Sequence, residues 1–152
     1  MASEQTIAIV GATGAVGQTT LRLLYERNFA VRELRVMASE RSVGKTVSFG
    51  EEKLRIERLT TGSFKGVDLA LFSAGAQQSR EFAPIAVKAG AVVIDKSSAF
   101  RMDPAVPLVV PEINAHRLKD HRGIIACPNC TTIVAVMPLS RCTMSESSVA
   151  WW

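Results

Sequence analysis

Gly11, Gly14 and Gly17 are evenly spaced in Gly11-Ala-Thr13-Gly14-Ala15-Val16-Gly17, and Cys130 closes a second reactive stretch, Cys127-Pro128-Asn129-Cys130. Glycines at that spacing permit a tight turn and let an anion such as a pyrophosphate approach backbone N–H groups without meeting a Cβ. The cysteine stretch offers a thiol nucleophile, and Asn129 and Thr131 beside it can donate hydrogen bonds to an oxyanion or a bound phosphate. Arg101, with Ser97 and Ser98 just upstream, carries the planar fork that grips a phosphate or carboxylate through two bonds. A surface arginine without a specific contact is an equal reading of that residue.

These groups need elements to hold them. Ile7-Ala-Ile-Val10 is a short apolar run directly before the glycine turn, and Thr19 to Arg27 places Leu21, Leu24 and Tyr25 at helical spacing. Strand, glycine turn and helix together form a phosphate site, because the helix aims free N–H groups and the positive end of its dipole at the ligand. Glu33 to Ala38 reads as the next strand, which completes a βαβ unit. The turn after it meets the adenosine ribose in such units, where an acid accepts from a 2′-hydroxyl and an arginine accommodates a 2′-phosphate. Ser39-Glu40-Arg41-Ser42-Val43-Gly44-Lys45 has one acid among two bases and two hydroxyls, which favours NADP over NAD. A solvated polar turn is the plainer alternative.

Further along, Thr46 to Glu57 alternates around Gly50-Glu51 as a hairpin does, and Asp68 to Phe72 reads as a buried strand closing on Ser73-Ala74-Gly75. Small residues there suit either cofactor contact or close packing. Gln77 to Ala89 is helical, with Pro84 marking a late start or a bend, and Ala91 to Asp95 is a strand. Pro107 to Pro111 reads as a short strand, Asn114 to Lys119 as a short helix capped by Asn114, and Gly123 to Ala126 as a strand. Strands alternating with helices imply an α/β fold, a Rossmann-like, doubly wound, mostly parallel sheet.

Cys130 falls at the junction of that last strand with the apolar segment Ile133 to Met137. A helix N-terminus there stabilises a thiolate, and the helix is expected to pack on the sheet. Three other readings of the cysteines stay open: small core residues, which suits Cys127, a thioredoxin-like C-x-x-C pair, and a zinc set completed by His116 and His121. Composition narrows the classes. The chain has 152 residues, 47% hydrophobic and 21% charged, which suits one globular domain. Its net charge of +4 is spread among acids, with no basic block or aromatic platform, so a nucleic-acid partner is not expected. No apolar run reaches the length of a membrane span, no signal peptide is visible, and the three cysteines form no disulfide framework, so a cytoplasmic location is expected.

Six motifs in order carry a resemblance: Gly11 to Gly17, the Ser39-x-Arg41-Ser42-x-Gly44 turn, Ser73-Ala-Gly75, Ser97 to Met102, Val110-Pro-Glu-Ile-Asn114, and Pro128-Asn-Cys-Thr-Thr132. Together they resemble aspartate-β-semialdehyde dehydrogenase from Ile7 to about Leu139. The related N-acetyl-γ-glutamyl-phosphate reductases share the chemistry but have a glycine where this chain has Asn129. The resemblance implies a homodimeric enzyme of amino-acid biosynthesis (lysine, methionine, threonine, isoleucine and diaminopimelate). It implies Cys130 as the nucleophile on aspartyl phosphate, giving a thioester, with Arg101 and Asn129 on the phosphate. It also implies NADP held by Gly11, Thr13, Gly14, Ala15, Val16, Gly17, Ser39, Arg41, Ser42, Ser73 and Gly75, serving as hydride source on the way to aspartate semialdehyde. No metal is implied.

The family's general base, normally a histidine, and its substrate-gripping Arg, Glu and Gln come from a second, catalytic and dimerisation domain. His116 and His121 match none of these and are expected on a surface helix and loop. After Leu139 the resemblance stops, and Ser140 to Trp152 has neither helical nor strand periodicity. The expectation is an NADP-binding domain over 1–139 and a non-matching, disordered tail over 140–152, in a truncated form of the enzyme. A non-catalytic NADP-binding module is the alternative.

Overall fold

Alternate residues of the first strand, β1 (Gln5–Val10), serve two different cores. Ile7 and Ile9 pack with Leu21, Val36, Ile56 and Leu71, whereas Ala8 and Val10 pack with Phe64, Phe72, Phe82 and Val93. A strand buried on both faces must be central in its sheet, which is why its sequence is a continuous apolar run rather than an alternating one. Each large side chain so buried contributes roughly 1.5–3 kcal/mol. On the second face Phe64 and Phe72 stack with ring centroids 5.8 Å apart.

A computed structural model describes residues 4–145. After β1 come α1 (Ala15–Glu26), β2 (Val31–Ala38), a 3₁₀ turn (Glu40–Ser42) and the hairpin of β3 (Thr46–Phe49) and β4 (Glu52–Arg55). The chain continues through β5 (Glu57–Arg58), β6 (Leu69–Phe72), α2 (Ala76–Lys88) and β7 (Val92–Asp95). It then forms α3 (Pro111–Asn114), a 3₁₀ segment (Ala115–Asp120), β8 (Ile124–Ala126) and α4 (Cys130–Ser145). The main sheet has the order β5-β2-β1-β6-β7-β8, every pair parallel, and the hairpin stands apart as an antiparallel pair. From β1 the chain winds outward through β2 and β5, returns to β6, and winds the other way. The sheet is thus doubly wound, and its switch point lies between the carboxyl ends of β1 and β6.

Several elements differ from the sequence reading. Helix α1 starts at Ala15 rather than Thr19, because the glycine turn itself supplies the cap: Gln18 N–H donates to Gly14 C=O at 2.9 Å. Pro84 neither delays nor ends α2; it lies on the exposed side, where its missing N–H is least costly. The strand expected over 107–111 reduces to one bridge, Leu108 with Ala126. A proline at each end removes two of the donors that a ladder needs. Asn114 does not cap the following turn; its side chain accepts from Val110 N–H and donates to Leu108 C=O.

Helix α4 runs on through Ser145, so residues 140–145 are helical where no periodicity was legible, and residues 146–152, with both tryptophans, lie outside those described. Its apolar residues are spread around the axis instead of forming a stripe, which hides a helix from a periodicity reading. Its main neighbour is α3 rather than the sheet, and Val134 is 74% exposed. Among the described residues no helix is long and apolar enough to cross a membrane.

Candidate active site

The three glycines of the first turn have different reasons to be glycine. Gly11 has φ +94°, and a Cβ there would lie 2.8 Å from the carbonyl carbon of Ser73, so the two loops of the switch point touch. At Gly17 a Cβ would come within 2.3 Å of Gly11 O. Gly14 is unlike both: its φ of −73° suits any residue, and a Cβ would meet only Gly11 O at 3.5 Å, an ordinary contact. The chain itself therefore has no need of glycine at 14, and the exposed space there is a cradle that a side chain would fill.

The amides around that cradle are available. Gly14 N–H is held by Gly11 C=O, but those of Ala15 and Val16 have no protein acceptor among the described residues, and the first turn of α1 holds no acid. Gln18 Nε2 donates to Thr13 C=O at 3.1 Å and fixes the turn. Free amides and the helix dipole together make an anion site at the carboxyl edge of the sheet. This arrangement fits a dinucleotide's pyrophosphate.

A crevice of about 440 Å³ continues from the switch point, lined by Val10, Ala38, Ser39, Arg58, Ala74 and Phe82 among others. A larger cavity, about 860 Å³, lies between the outer face of α1 and β3, and of the glycine-turn residues it touches only Ala15. Ser73 is tied to Val10 C=O through its N–H (2.8 Å) and hydroxyl (3.2 Å), and Gly75, at φ +92°, opens α2. Past β2, Ser39 is exposed at the crevice, Glu40 forms an ion pair with Arg58, and Ser42 N–H donates to Ser39 C=O. Arg41 is exposed and has no ion-pair partner among the described residues.

Cys130 is the first residue of α4 and is exposed. Asn129 caps the helix, its Oδ1 accepting from Thr131 N–H at 2.9 Å, and the Cys130 thiol lies 3.7 Å from the same oxygen. The Asn129 amide nitrogen has no acceptor among the described residues. Arg101 is half-buried rather than loose on the surface. Its Nε donates to Cys127 C=O and its Nη2 to Lys96 C=O, both at 2.9 Å, which leaves Nη1 without a protein acceptor among the described residues.

Two groups here escaped the sequence reading. Asp95, fully buried, accepts from the hydroxyls of Ser79 and Ser97 and from Ser97 N–H. Lys96 points the other way, its ammonium donating to Thr20 Oγ1 at 2.9 Å. Burial lowers the Lys96 pKa, opposed by the neighbouring Cys127. Cys127 is half-buried, and burial raises its thiol pKa; Lys96 and Arg101 work against that rise, and Asp95 adds to it. Alternation at the end of a strand was the available signal, since an aspartate facing α2 sends the next residue toward α1.

The histidines do not join this edge. His116 is exposed on the 3₁₀ segment, and His121, whose Nδ1 accepts from Gly123 N–H, precedes the amino end of β8, whereas Cys130 follows its carboxyl end. A zinc set drawn from both cysteines and both histidines is therefore not assembled.

Residues 6–121 match the sequence profile of a family described as semialdehyde dehydrogenase, NAD binding domain. The aspartate-semialdehyde dehydrogenase of Synechocystis sp. is 56% identical over 142 residues, 91% of this chain and 42% of that protein. That of Aquifex aeolicus is 57% identical over 136 residues, covering 88% and 40% respectively. The crystal structure of Vibrio cholerae aspartate semialdehyde dehydrogenase II complexed with ASA superposes with a TM-score of 0.89 at 46% identity, over 94% of this chain and 47% of that one. The chain thus spans about two fifths of the length of these curated relatives.

Proposed function

The chain belongs to the semialdehyde dehydrogenase family, and we propose that it carries the dinucleotide site and the nucleophile of an NADP-dependent aspartate-semialdehyde dehydrogenase, a cytoplasmic enzyme of amino-acid biosynthesis. One observation carries the reading. The open amides of α1 and the exposed thiol at the start of α4 stand at the same carboxyl edge of one parallel sheet.

The amides of Ala15 and Val16, beside the cradle at Gly14, hold the pyrophosphate of the dinucleotide. The crevice beyond Val10 and Ala38 takes the adenosine. Arg41, with Ser39 and Ser42, receives the 2′-phosphate, and the Glu40 charge that would repel it is engaged by Arg58. Cys130 attacks the acyl carbon of aspartyl phosphate: a C–S bond forms, the C–O bond to phosphate breaks, and the phosphate leaves with the bonding pair. Arg101 Nη1 and the Asn129 amide are the donors that hold it. A reduced dinucleotide held there would supply hydride to the acyl carbon; as the C–H bond forms the C–S bond breaks, Cys130 leaves as the thiolate, and aspartate semialdehyde is released. The proton transfers come from groups other than His116 and His121, which stand away from the thiol.

That separation favours one second reading, a dinucleotide-binding module without turnover. Mixing the purified chain with aspartyl phosphate should leave an acyl adduct on Cys130, seen by mass spectrometry and absent from Cys130→Ala. NADP- and phosphate-dependent oxidation of aspartate semialdehyde is the steady-state counterpart. Dinucleotide binding with an unreactive Cys130 would establish the module instead.

A further inference from the structure

Lys96 stands where three parts of the site meet. Its N–H donates to Phe72 C=O at 3.0 Å, at the carboxyl end of β6. Its C=O accepts from Arg101, whose Nε holds Cys127 C=O, and Cys127 N–H in turn donates to Asp95 C=O at 2.8 Å. Its ammonium crosses to the other side of the sheet edge and donates to Thr20 Oγ1 on α1. Thr20 Oγ1 donates onward to Val16 C=O at 2.8 Å, within the turn whose amides are open. A continuous run of hydrogen bonds therefore joins the anion-binding turn of α1 to the short link that leads into Cys130. Thr20 accepts only one of three ammonium protons, and the bond is charge-assisted.

We propose that Lys96 is a positioning residue that couples the dinucleotide helix to the nucleophile, so that filling the N-terminus of α1 changes the reactivity of Cys130 through the Lys96 bridge. The proposal rests on the dinucleotide reading above. An anion on the amides of Ala15 and Val16 draws the ammonium toward the first turns of α1 and tightens its bond to Thr20. Because Lys96 also carries Arg101, that tightening reaches the carbonyl of Cys127 and the start of α4. Without the ammonium, the side-chain bond from Lys96 to α1 is lost, and the two regions are joined only through the backbone bonds of the sheet edge.

The test uses the cofactor minus its nicotinamide, 2′-phospho-ADP-ribose, which fills the adenosine and pyrophosphate positions and lacks the ring that would shield the thiol directly. Calorimetry gives its affinity, and peptide-resolved mass spectrometry gives the rate at which neutral iodoacetamide alkylates Cys130. In the native chain the saturating ligand should change that rate by about fivefold, the lower end of couplings between sites. Lys96→Met should bind the ligand and lose the response, Lys96→Arg should restore most of it, and Thr20→Val should lose it with the lysine intact. Combining Lys96→Met with Thr20→Val should add nothing further, as for two ends of one bond. An equal response in native and Lys96→Met chains, both saturated, overturns the proposal, as does binding without any response in the native chain. Absence of binding to the native chain removes the dinucleotide reading and the coupling together. Circular dichroism identifies a variant that fails to fold, and Thr20→Val, nearly isosteric, then decides.

Discussion

Arg101 holds the carbonyl of Cys127 with its Nε at 2.9 Å and spends a second donor on Lys96. The residue best suited by type to grip a substrate anion thus does structural work on the link that leads into Cys130. Arg101→Ala should leave two half-buried carbonyls without that donor and lower stability by about 1–3 kcal/mol, against roughly 0.5 for a surface arginine with no such role. Arg101→Lys should recover only part of the loss, since an ammonium cannot reproduce the fork. Urea unfolding of the three chains measures both.

Gly14 and Gly17 should separate binding from folding. Gly14→Ala meets no clash and should hold or raise stability by about 0.4–1 kcal/mol through the unfolded chain, while weakening dinucleotide affinity. Gly17→Ala drives a Cβ to 2.3 Å from Gly11 O and should destabilise by roughly 3 kcal/mol or more. Denaturation and calorimetry on both variants give the comparison.

The three cysteines should not alkylate together. Cys130 and Cys142 are exposed, while Cys127 is half-buried with its thiol pKa raised by burial, so Cys127 should react last at mildly alkaline pH. Lys96 pulls that thiol down, so Lys96→Met should move the Cys127 alkylation profile to still higher pH.

The same thiol makes an alkaline contribution to stability with a definite sign. Folded Cys127 binds its proton more tightly than the unfolded chain does, so this contribution is whole below the ordinary value of 9.0 and is lost as pH rises through the folded value. Lys96 acts oppositely. Its pKa lies below the ordinary 10.5 because burial disfavours the ammonium, so burying that charge costs stability at lower pH and the cost is relieved as pH climbs from the lowered value toward 10.5. Unfolding curves of native, Cys127→Ala and Lys96→Met chains across the alkaline range should show a flatter loss in the first variant and a missing gain in the second.

Among the described side chains of α4, Val134 is the most open of the large apolar residues. Val134→Lys should reduce self-association in sedimentation while changing stability by no more than about 0.5 kcal/mol.

The sequence carried the strand, glycine turn and helix plainly, because Gly11 and Gly17 answer to backbone geometry that side chains forbid and the flanking runs have clear periods. The position of Cys130 at a strand-to-helix junction was legible for a similar reason, Pro128 and the apolar strand before it marking the turn. What escaped depended on partners distant in the chain. Nothing near Lys96 announces Thr20, and nothing near Arg101 announces a carbonyl at Cys127. The extent of α4 was hidden because its apolar residues form no stripe, and 107–111 misled because an apolar run between prolines looks like a strand until its donors are counted.

The pairing of β1 with β6 sets an order of events in time. Ile7 lies beside Leu69, and Thr6 N–H is held by the Asp68 carboxylate, so the floor of the crevice joins segments far apart along the chain. Closing so long a loop is entropically slow compared with forming a helix or a hairpin. During synthesis the crevice therefore cannot close until the segment through Phe82, which lines it, has emerged, and the amides of the glycine turn face water until then.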